Sequence, residues 1–551
     1  MSLLLDVFGY LTVILRGITI SAQAFTIGGI AFLQLVAWPF ETRLGAGGQE
    51  IVRRSRRLLG WSALVLALAE GAFLAMQTAV LMDTAELSFG QTIGADFVVA
   101  SLVKITAAAL LVVLAFAGRA RQGRVAMAAL AALVLAGSVA TSHAVSRLED
   151  SLALIGVEAL HQIAAAVWIG GIPYFLVALH RIFDGAQWRL VGKRFSQMSM
   201  ASVGVLLAAG LTLAVFYVGS FAALYGTAYG VMVVTKAALF AGLLLLGAGN
   251  YLLVERLRRD PATPILRLKR FAEVEIGVGL TVLFCAASLT SLPPALDLTS
   301  DRASWGEIVE RIAPRWPTLT SPDHASLAIP MLQAELDNRA AEMRAARPEA
   351  FVPGAGVLPP RNAEDIAWSE YNHHWAGILV VAIGLLALLE RSGKVPWARH
   401  WPLLFLALAG FLLVRSDPEV WPLGEIGFFE SFRDPEVVQH RIFVAVIIAF
   451  GLFEWAVRTG RLKSARAALV FPLATALGGG LLLTHSHALS NVKDALLIEI
   501  THVPLALFGV TAGWARWLEL RLPAPGNRFA AWLWPVAFIL VGLVLLGYRE
   551  S

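Results

Sequence analysis

Two stretches, more than three hundred residues apart, carry one pattern of chemically capable residues. The first is Ser142-His143-Ala144-Val145-Ser146 followed by Glu158-Ala159-Leu160-His161; the second is Ser486-His487-Ala488-Leu489-Ser490 followed by Glu499-Ile500-Thr501-His502. On a helix, residues three apart share a face, so Glu158 lies beside His161 and Glu499 beside His502. Each carboxylate could ligate a metal next to its imidazole, or accept the second ring N–H and fix the tautomer. A histidine at the end of the preceding helix, His143 in one copy and His485 or His487 in the other, could close over the same face. Two nitrogens and one oxygen suit Cu(II), Zn or Fe more than a thiolate cage would. The competing reading is a hydrogen-bonded pair with no ligand. Its repetition in matched context, where burial of charge is costly, favours function.

The elements that must hold these residues are membrane helices. Of 551 residues, 58% are hydrophobic and 15% charged, and the mean hydropathy is +0.70. Apolar runs of about 20 residues, enough to cross a hydrocarbon core of ~30 Å, recur along the chain. Eight lie roughly at 8–36, 58–82, 94–117, 124–143, 152–179, 195–220, 228–254 and 271–292. Six more lie roughly at 371–390, 400–415, 437–458, 466–486, 494–516 and 529–548, the run at 400–415 being short. The expectation is an all-α, polytopic membrane helix bundle of about 14 transmembrane helices. The first apolar run lacks a basic leader and a small-residue cleavage site, so no cleaved signal peptide is expected.

Every second loop is basic, as at Arg53-Arg54-Ser55-Arg56-Arg57, 119–124, 181–194, 256–270, 391–399, 458–466 and 516–528. Short cytoplasmic loops hold such an excess, so both termini are expected to face outward, into the periplasm where the source is a Gram-negative bacterium. The net charge of +5 therefore reports topology. No polar surface stretch interleaves basic and aromatic residues, so nucleic acid is not an expected partner and the lipid bilayer is. Cys285 is the sole cysteine, which excludes an internal disulfide and a cysteine metal cage.

This topology gathers the histidines. Nine of the eleven fall at or near the outer side; His180 and His400 lie beside cytoplasmic basic loops. His161 and His502 sit roughly 12 to 14 Å down their helices at ~1.5 Å per residue. His373, His374 and His440 open two further helices from the same side, and His324 lies in a polar loop. Arg16, Glu70, Lys104, Lys236 and Glu275 are ionisable residues inside apolar runs. They read either as structural ion pairs or as an ion or proton path toward the cytoplasm. Met198, Met200 and Met232 read as packing residues, with soft ligation of Cu(I) as the alternative.

The first half resembles a known family. Arg194-Phe195-Ser196, Thr227-Ala228-Tyr229-Gly230, Lys236, Asn250 and the run His161-Gln162-Ile163-Ala164-Ala165-Ala166-Val167-Trp168-Ile169-Gly170-Gly171 are similar to the copper resistance protein D family. The resemblance covers residues 1–295 and implies an eight-helix bacterial inner-membrane module that moves copper from periplasm toward cytoplasm. It further implies His143 and His161 as copper-contacting residues, and Trp168, Gly170 and Gly171 as helix-packing residues. Residues 296–369 read as a periplasmic loop or cap, and 370–551 as a six-helix module with a partial repeat of the histidine motif but no Trp-x-Gly-Gly after His502.

Two function classes follow. One is a copper-binding membrane protein of copper transport or homeostasis, with the copper ion and a periplasmic copper chaperone as partners. Its metal-ligating residues would come from His143, Glu158, His161, His373, His374, His440, His485, His487, Glu499 and His502. The other is a membrane redox protein with His-ligated b-type haem, or with a dinuclear centre of another transition metal. No zincin, nucleophile-elbow or P-loop pattern is present, which favours a transporter or metal-binding protein over an enzyme.

Overall fold

The structure is a computed structural model, described here for residues 2–84, 88–117, 121–142, 144–145, 151–182, 185–260, 262–298, 302–322, 363–433, 435–484 and 492–550. His143, His324, His485 and His487 lie outside the described residues, as does most of the stretch 296–369. The chain forms two compact units, the first of residues 7–224 and 232–299, the second of residues 1–6, 225–231 and 300–551.

The first unit contains α1 (Ser2–Phe32) from residue 7, α2 (Gly45–Thr84), α3 (Asp96–Phe116), α4 (Arg121–Ala140), α5 (Ser151–Trp168), α6 (Ile172–Arg181), α7 (Gly185–Val218), α8 (Ala228–Arg259) from residue 232, and α9 (Leu266–Thr290). The second contains α10 (Ala363–Arg391), α11 (Leu404–Arg415), α12 (Pro435–Arg458), α13 (Val470–Leu482), α14 (Val492–Arg521) and α15 (Arg528–Leu546). A short helix, Trp305–Ile312, precedes them. Among the described residues, 12 helices are long and apolar enough to cross a membrane. They include the eight spans expected in the first half and four of the six in the second. The other two are helical as well, as α13 and α14; α14 has 30 residues and a length of ~45 Å.

One expected span is broken. The run at 152–179 divides into α5 and α6 at Trp168–Gly171, because Pro173 begins the new helix without an N–H to continue the old one. The break serves packing. A Cβ on Gly170 would run into the carbonyl oxygen of Ala24, and one on Gly28 into that of Ala166, so α1 can approach the α5–α6 junction only over glycine. Tyr174 then donates to the Phe25 carbonyl at 2.9 Å, and Trp168 packs edge-on against Phe240 at 5.7 Å. The packing role that the resemblance implies for Trp168 and Gly170 matches these contacts.

In the second unit, Trp401, Phe405, Phe471 and Trp534 form an aromatic core. Small residues let α13 and α14 cross closely, Gly479 against Gly509 and Ala476 against Gly513. Arg458 lies 5.0 Å above the Trp401 ring and pairs with Glu390 at 3.0 Å and Glu454 at 2.7 Å, so its buried charge is compensated. In both units large apolar side chains point outward, Leu152, Leu211, Val215, Leu245 and Phe529 among them; hydrocarbon suits such a surface as water does not.

Candidate functional site

The Glu-x-x-His half of the repeated motif lies among the described residues in both copies. Glu158 and His161 stand on α5, Glu499 and His502 on α14, and each histidine falls ten residues past the first residue of its helix, Ser151 or Val492. That is a depth of ~15 Å. The two copies nevertheless have different surroundings.

On α5, carboxylate and imidazole do not pair. Gln162, one residue beyond the histidine, donates to Glu158 Oε1 at 2.8 Å, and Gln23 of α1 donates to Gln162 Oε1 at 3.1 Å. His161 instead directs Nε2 at the Lys236 ammonium on α8, 3.5 Å away, with Gly210 of α7 beside its ring. Its Nδ1 is enclosed without a hydrogen-bond partner. With Lys236 charged, Nε2 must present its lone pair, which leaves the proton on Nδ1. A metal ion could take Nε2 only if the ammonium moved or lost its proton, since two cations cannot share one lone pair.

On α14, the histidine meets a second histidine. His502 and His373 of α10 have ring centroids 6.4 Å apart and planes at 83°. Tyr548 lies flat on His373 at 3.8 Å and 18°, and edge-on to His502 at 5.6 Å. His373 Nδ1 donates to the Ser369 carbonyl at 2.8 Å, so Nε2 carries the lone pair. One turn before His502, Oε2 of Glu499 is buried and has no hydrogen-bond partner.

Tyr548 is held there by its own segment. Its carbonyl lies 3.0 Å from His374 Nε2, the next carbonyl accepts from Arg311 at 2.9 Å, and the Glu550 N–H reaches Glu370 at 3.0 Å. Arg549 donates to the carbonyls of Glu310 and Ala313. Burial in this arrangement pushes the Arg549 guanidinium below its ordinary range, with the nearby Arg315 adding to the effect.

The remaining described histidines are distributed differently. Thr318 N–H donates to His374 Nδ1 at 2.9 Å, so His374 donates through Nε2, and both nitrogens are engaged by backbone. His440 Nδ1 lies 2.6 Å from Asp417 Oδ1, and Ser416 donates to Oδ2 of the same carboxylate at 2.9 Å. A carboxylate so placed fixes the tautomer and orients the other nitrogen of the ring, as outer partners of metal-bound imidazoles do. Among the described residues, no three His, Cys, Asp or Glu side chains converge as a metal cage.

Sequence reasoning missed Gln23, Gln162, Asp417 and Tyr548. Gln162 stands four residues after Glu158, a spacing that could have revealed their bond. Nothing local marks Tyr548 or Asp417, which arrive through tertiary packing. The embedded ions prove to be two clusters and a lone acid. Glu70 Oε1 accepts from Lys104 at 2.9 Å and Ser101 at 2.8 Å, with Arg16 over the Phe73 ring at 5.4 Å. Glu275 meets Asn250, and Lys236 faces His161 as described.

Comparison with known proteins adds an independent line. Residues 4–147 match the copper resistance protein D-like N-terminal domain, and residues 189–289 match copper resistance protein D. The chain is 33% identical over 161 residues to the copper transport protein CutJ of Bacillus subtilis (strain 168), a match covering 28% of this chain. It likewise spans only 28% of that relative's length. No solved structure matches the chain.

Proposed function

For a chain that belongs, through its first half, to the copper resistance protein D family, we propose a membrane copper-binding protein that moves copper from the periplasm toward the cytoplasm. The observation that carries this reading is the imidazole pair His373/His502, on α10 and α14, with Glu499 one turn before His502 on α14. Metal–nitrogen bonds of about 2 Å on opposite sides of one ion put two ring centroids roughly 6 Å apart, close to the separation present here. Copper accepts imidazole nitrogen in either oxidation state and is the cargo. His485 and His487 precede α14 in sequence and belong to the same proposed set, as His143 does with His161. His440, oriented by Asp417, serves as an outer collecting ligand.

In this reading copper is handed to the outer histidines by a periplasmic donor and leaves on the side of the basic loops, which face the cytoplasm. The test begins with the purified protein in detergent: bound metal by elemental analysis and the absorption spectrum. Copper that is taken up by the wild type, and reduced by at least one equivalent in His373→Ala and His502→Ala, is the expected result. A Soret band, or undiminished copper in both variants, overturns the site. Direction is read from copper accumulation in proteoliposomes of known orientation, where export from the cytoplasmic face would reverse the proposal.

A further inference from the structure

The inner half of the first unit holds an acid with no counter-charge. Glu275 on α9 is 5% exposed, and Asn250 on α8 is 8% exposed. Asn250 Nδ2 donates to Glu275 Oε1 at 3.1 Å, while Asn250 Oδ1 is buried with no partner. Asn250 stands nine residues before the last residue of α8, Arg259, and Glu275 nine after the first of α9, Leu266. Both therefore lie ~14 Å from the loop 260–265, the basic side. Gly247 and the Trp168 ring edge flank the pair: a Cβ on Gly247 would sit 3.7 Å from Glu275 Oε1 and 3.8 Å from Trp168.

Several titratable groups on the surrounding helices are committed elsewhere, and Lys269 stands six residues before Glu275 on α9, toward the 260–265 loop. On α9, Arg270 pairs with Glu273. On α8, Glu255 pairs with Arg258 at 2.6 Å. On α6, His180 Nδ1 bonds the Leu176 carbonyl at 2.8 Å and Tyr174 bonds Phe25. On α1, Arg16 belongs to the Glu70 cluster, which lies beyond Phe284 toward the outer end of α9. Among the described residues no ion pair includes Glu275. The buried Glu70, in contrast, has Lys104 at 2.9 Å.

We propose that Glu275 and Asn250 form a proton-binding site on the inner half of the first unit, exchanging a proton with the cytoplasmic side as copper moves. A carboxylate enclosed by membrane helices without a cationic partner draws a cation from solution. The donor set is two oxygens, which a soft copper ion disfavours. Asparagine suits both protonation states. Its NH₂ donates to the carboxylate, as here, and a half-turn of the amide presents Oδ1 to accept from the protonated carboxyl. The step is a proton transfer alone: the O–H bond forms at Glu275 when a proton arrives from the aqueous side and breaks when it leaves. The coupling to copper rests on the function proposed above; the proton site does not.

The test separates the two. Glu275→Gln keeps size and the hydrogen bond to Asn250, and Asn250→Leu removes the two-way partner. In wild-type protein, an infrared pH titration is expected to show a protonated-carboxyl C=O band that disappears in Glu275→Gln and shifts in Asn250→Leu. A titration with no band dependent on Glu275 overturns the site. In proteoliposomes loaded with a pH dye, copper uptake is expected to move protons in the wild type, and Glu275→Gln to bind copper normally while losing that proton signal. Copper uptake without proton movement in the wild type overturns the coupling. Absence of any copper uptake overturns the transport function instead and leaves the infrared titration to decide the proton site.

Discussion

Lys236 Nζ stands 3.5 Å from His161 Nε2, so the histidine of the first motif copy faces an ammonium where a metal ion would bind. Nδ1 of the same ring is enclosed and unpartnered, leaving Nε2 as the atom the two cations contest. Lys236→Met removes the competitor while keeping an apolar stem. Copper affinity at this site is expected to rise at least roughly tenfold, given the repulsion of like charges at such range in a low dielectric. Competition titration against a copper chelator measures it. Equal affinity in Lys236→Met and in Lys236→Met/His161→Ala would remove His161 from the copper path.

Tyr548 sets the second copy apart. Its ring lies 3.8 Å from that of His373 and is 2% exposed, so it shields one face of the imidazole pair and restrains His373. Tyr548→Phe keeps the ring and is expected to hold copper as the wild type does. Tyr548→Ala frees His373 to rotate, and copper should be lost to a chelator about tenfold faster, the cost of a ligand no longer preorganised. Stopped-flow chelator challenge reads this directly; equal rates in Phe and Ala variants would make Tyr548 a bystander.

The buried pair Glu70/Lys104 is expected to be worth more to the fold than to transport. The two side chains are 1% and 2% exposed, and the Arg16 guanidinium also interacts with Glu70, so removing Glu70 strands two cations among apolar helices. Glu70→Met should cost about 3–5 kcal/mol, with the triple variant Arg16→Met/Glu70→Met/Lys104→Met recovering most of it. Thermal unfolding in detergent gives both values. A triple variant as unstable as the single one would show that the cluster contributes through shape rather than charge.

How much of this was legible in the sequence depends on the scale of the interaction. The helices were, because each apolar run signals itself through its own length and hydropathy, and in both copies the Glu-x-x-His pair lies on a single helix. Partner choice was not. Glu158 bonds Gln162 rather than His161, although both lie on its face, and the choice is fixed by Gln23 arriving from α1. His373 and His502 are far apart in the chain and meet only through packing in the second unit. Likewise His374 resembled its neighbour His373 as a potential ligand, yet backbone groups of Thr318 and Tyr548 occupy both its nitrogens. The break of the 152–179 span was foreshadowed by Gly170, Gly171 and Pro173, residues that hydropathy alone passes over.

That break makes the last prediction. A methyl group on Gly170 would collide with the backbone carbonyl of Ala24, whereas one on Gly71 of α2 would meet nothing within 4 Å. Backbone cannot rotate away as a side chain can, so Gly170→Ala must push α1 off the α5–α6 junction. The shift would also strain the Tyr174 bond to Phe25 and the Gln23 bond to Gln162, which cross the same boundary. Overpacking of this kind costs about 1–3 kcal/mol. Gly71→Ala, in a helix interior with open space, should instead be neutral or stabilising by up to about 1 kcal/mol. Thermal unfolding of the two variants side by side decides between contact and composition. Matching losses would assign the effect to helix flexibility in general, whereas a loss confined to Gly170→Ala locates it at the crossing that carries His161.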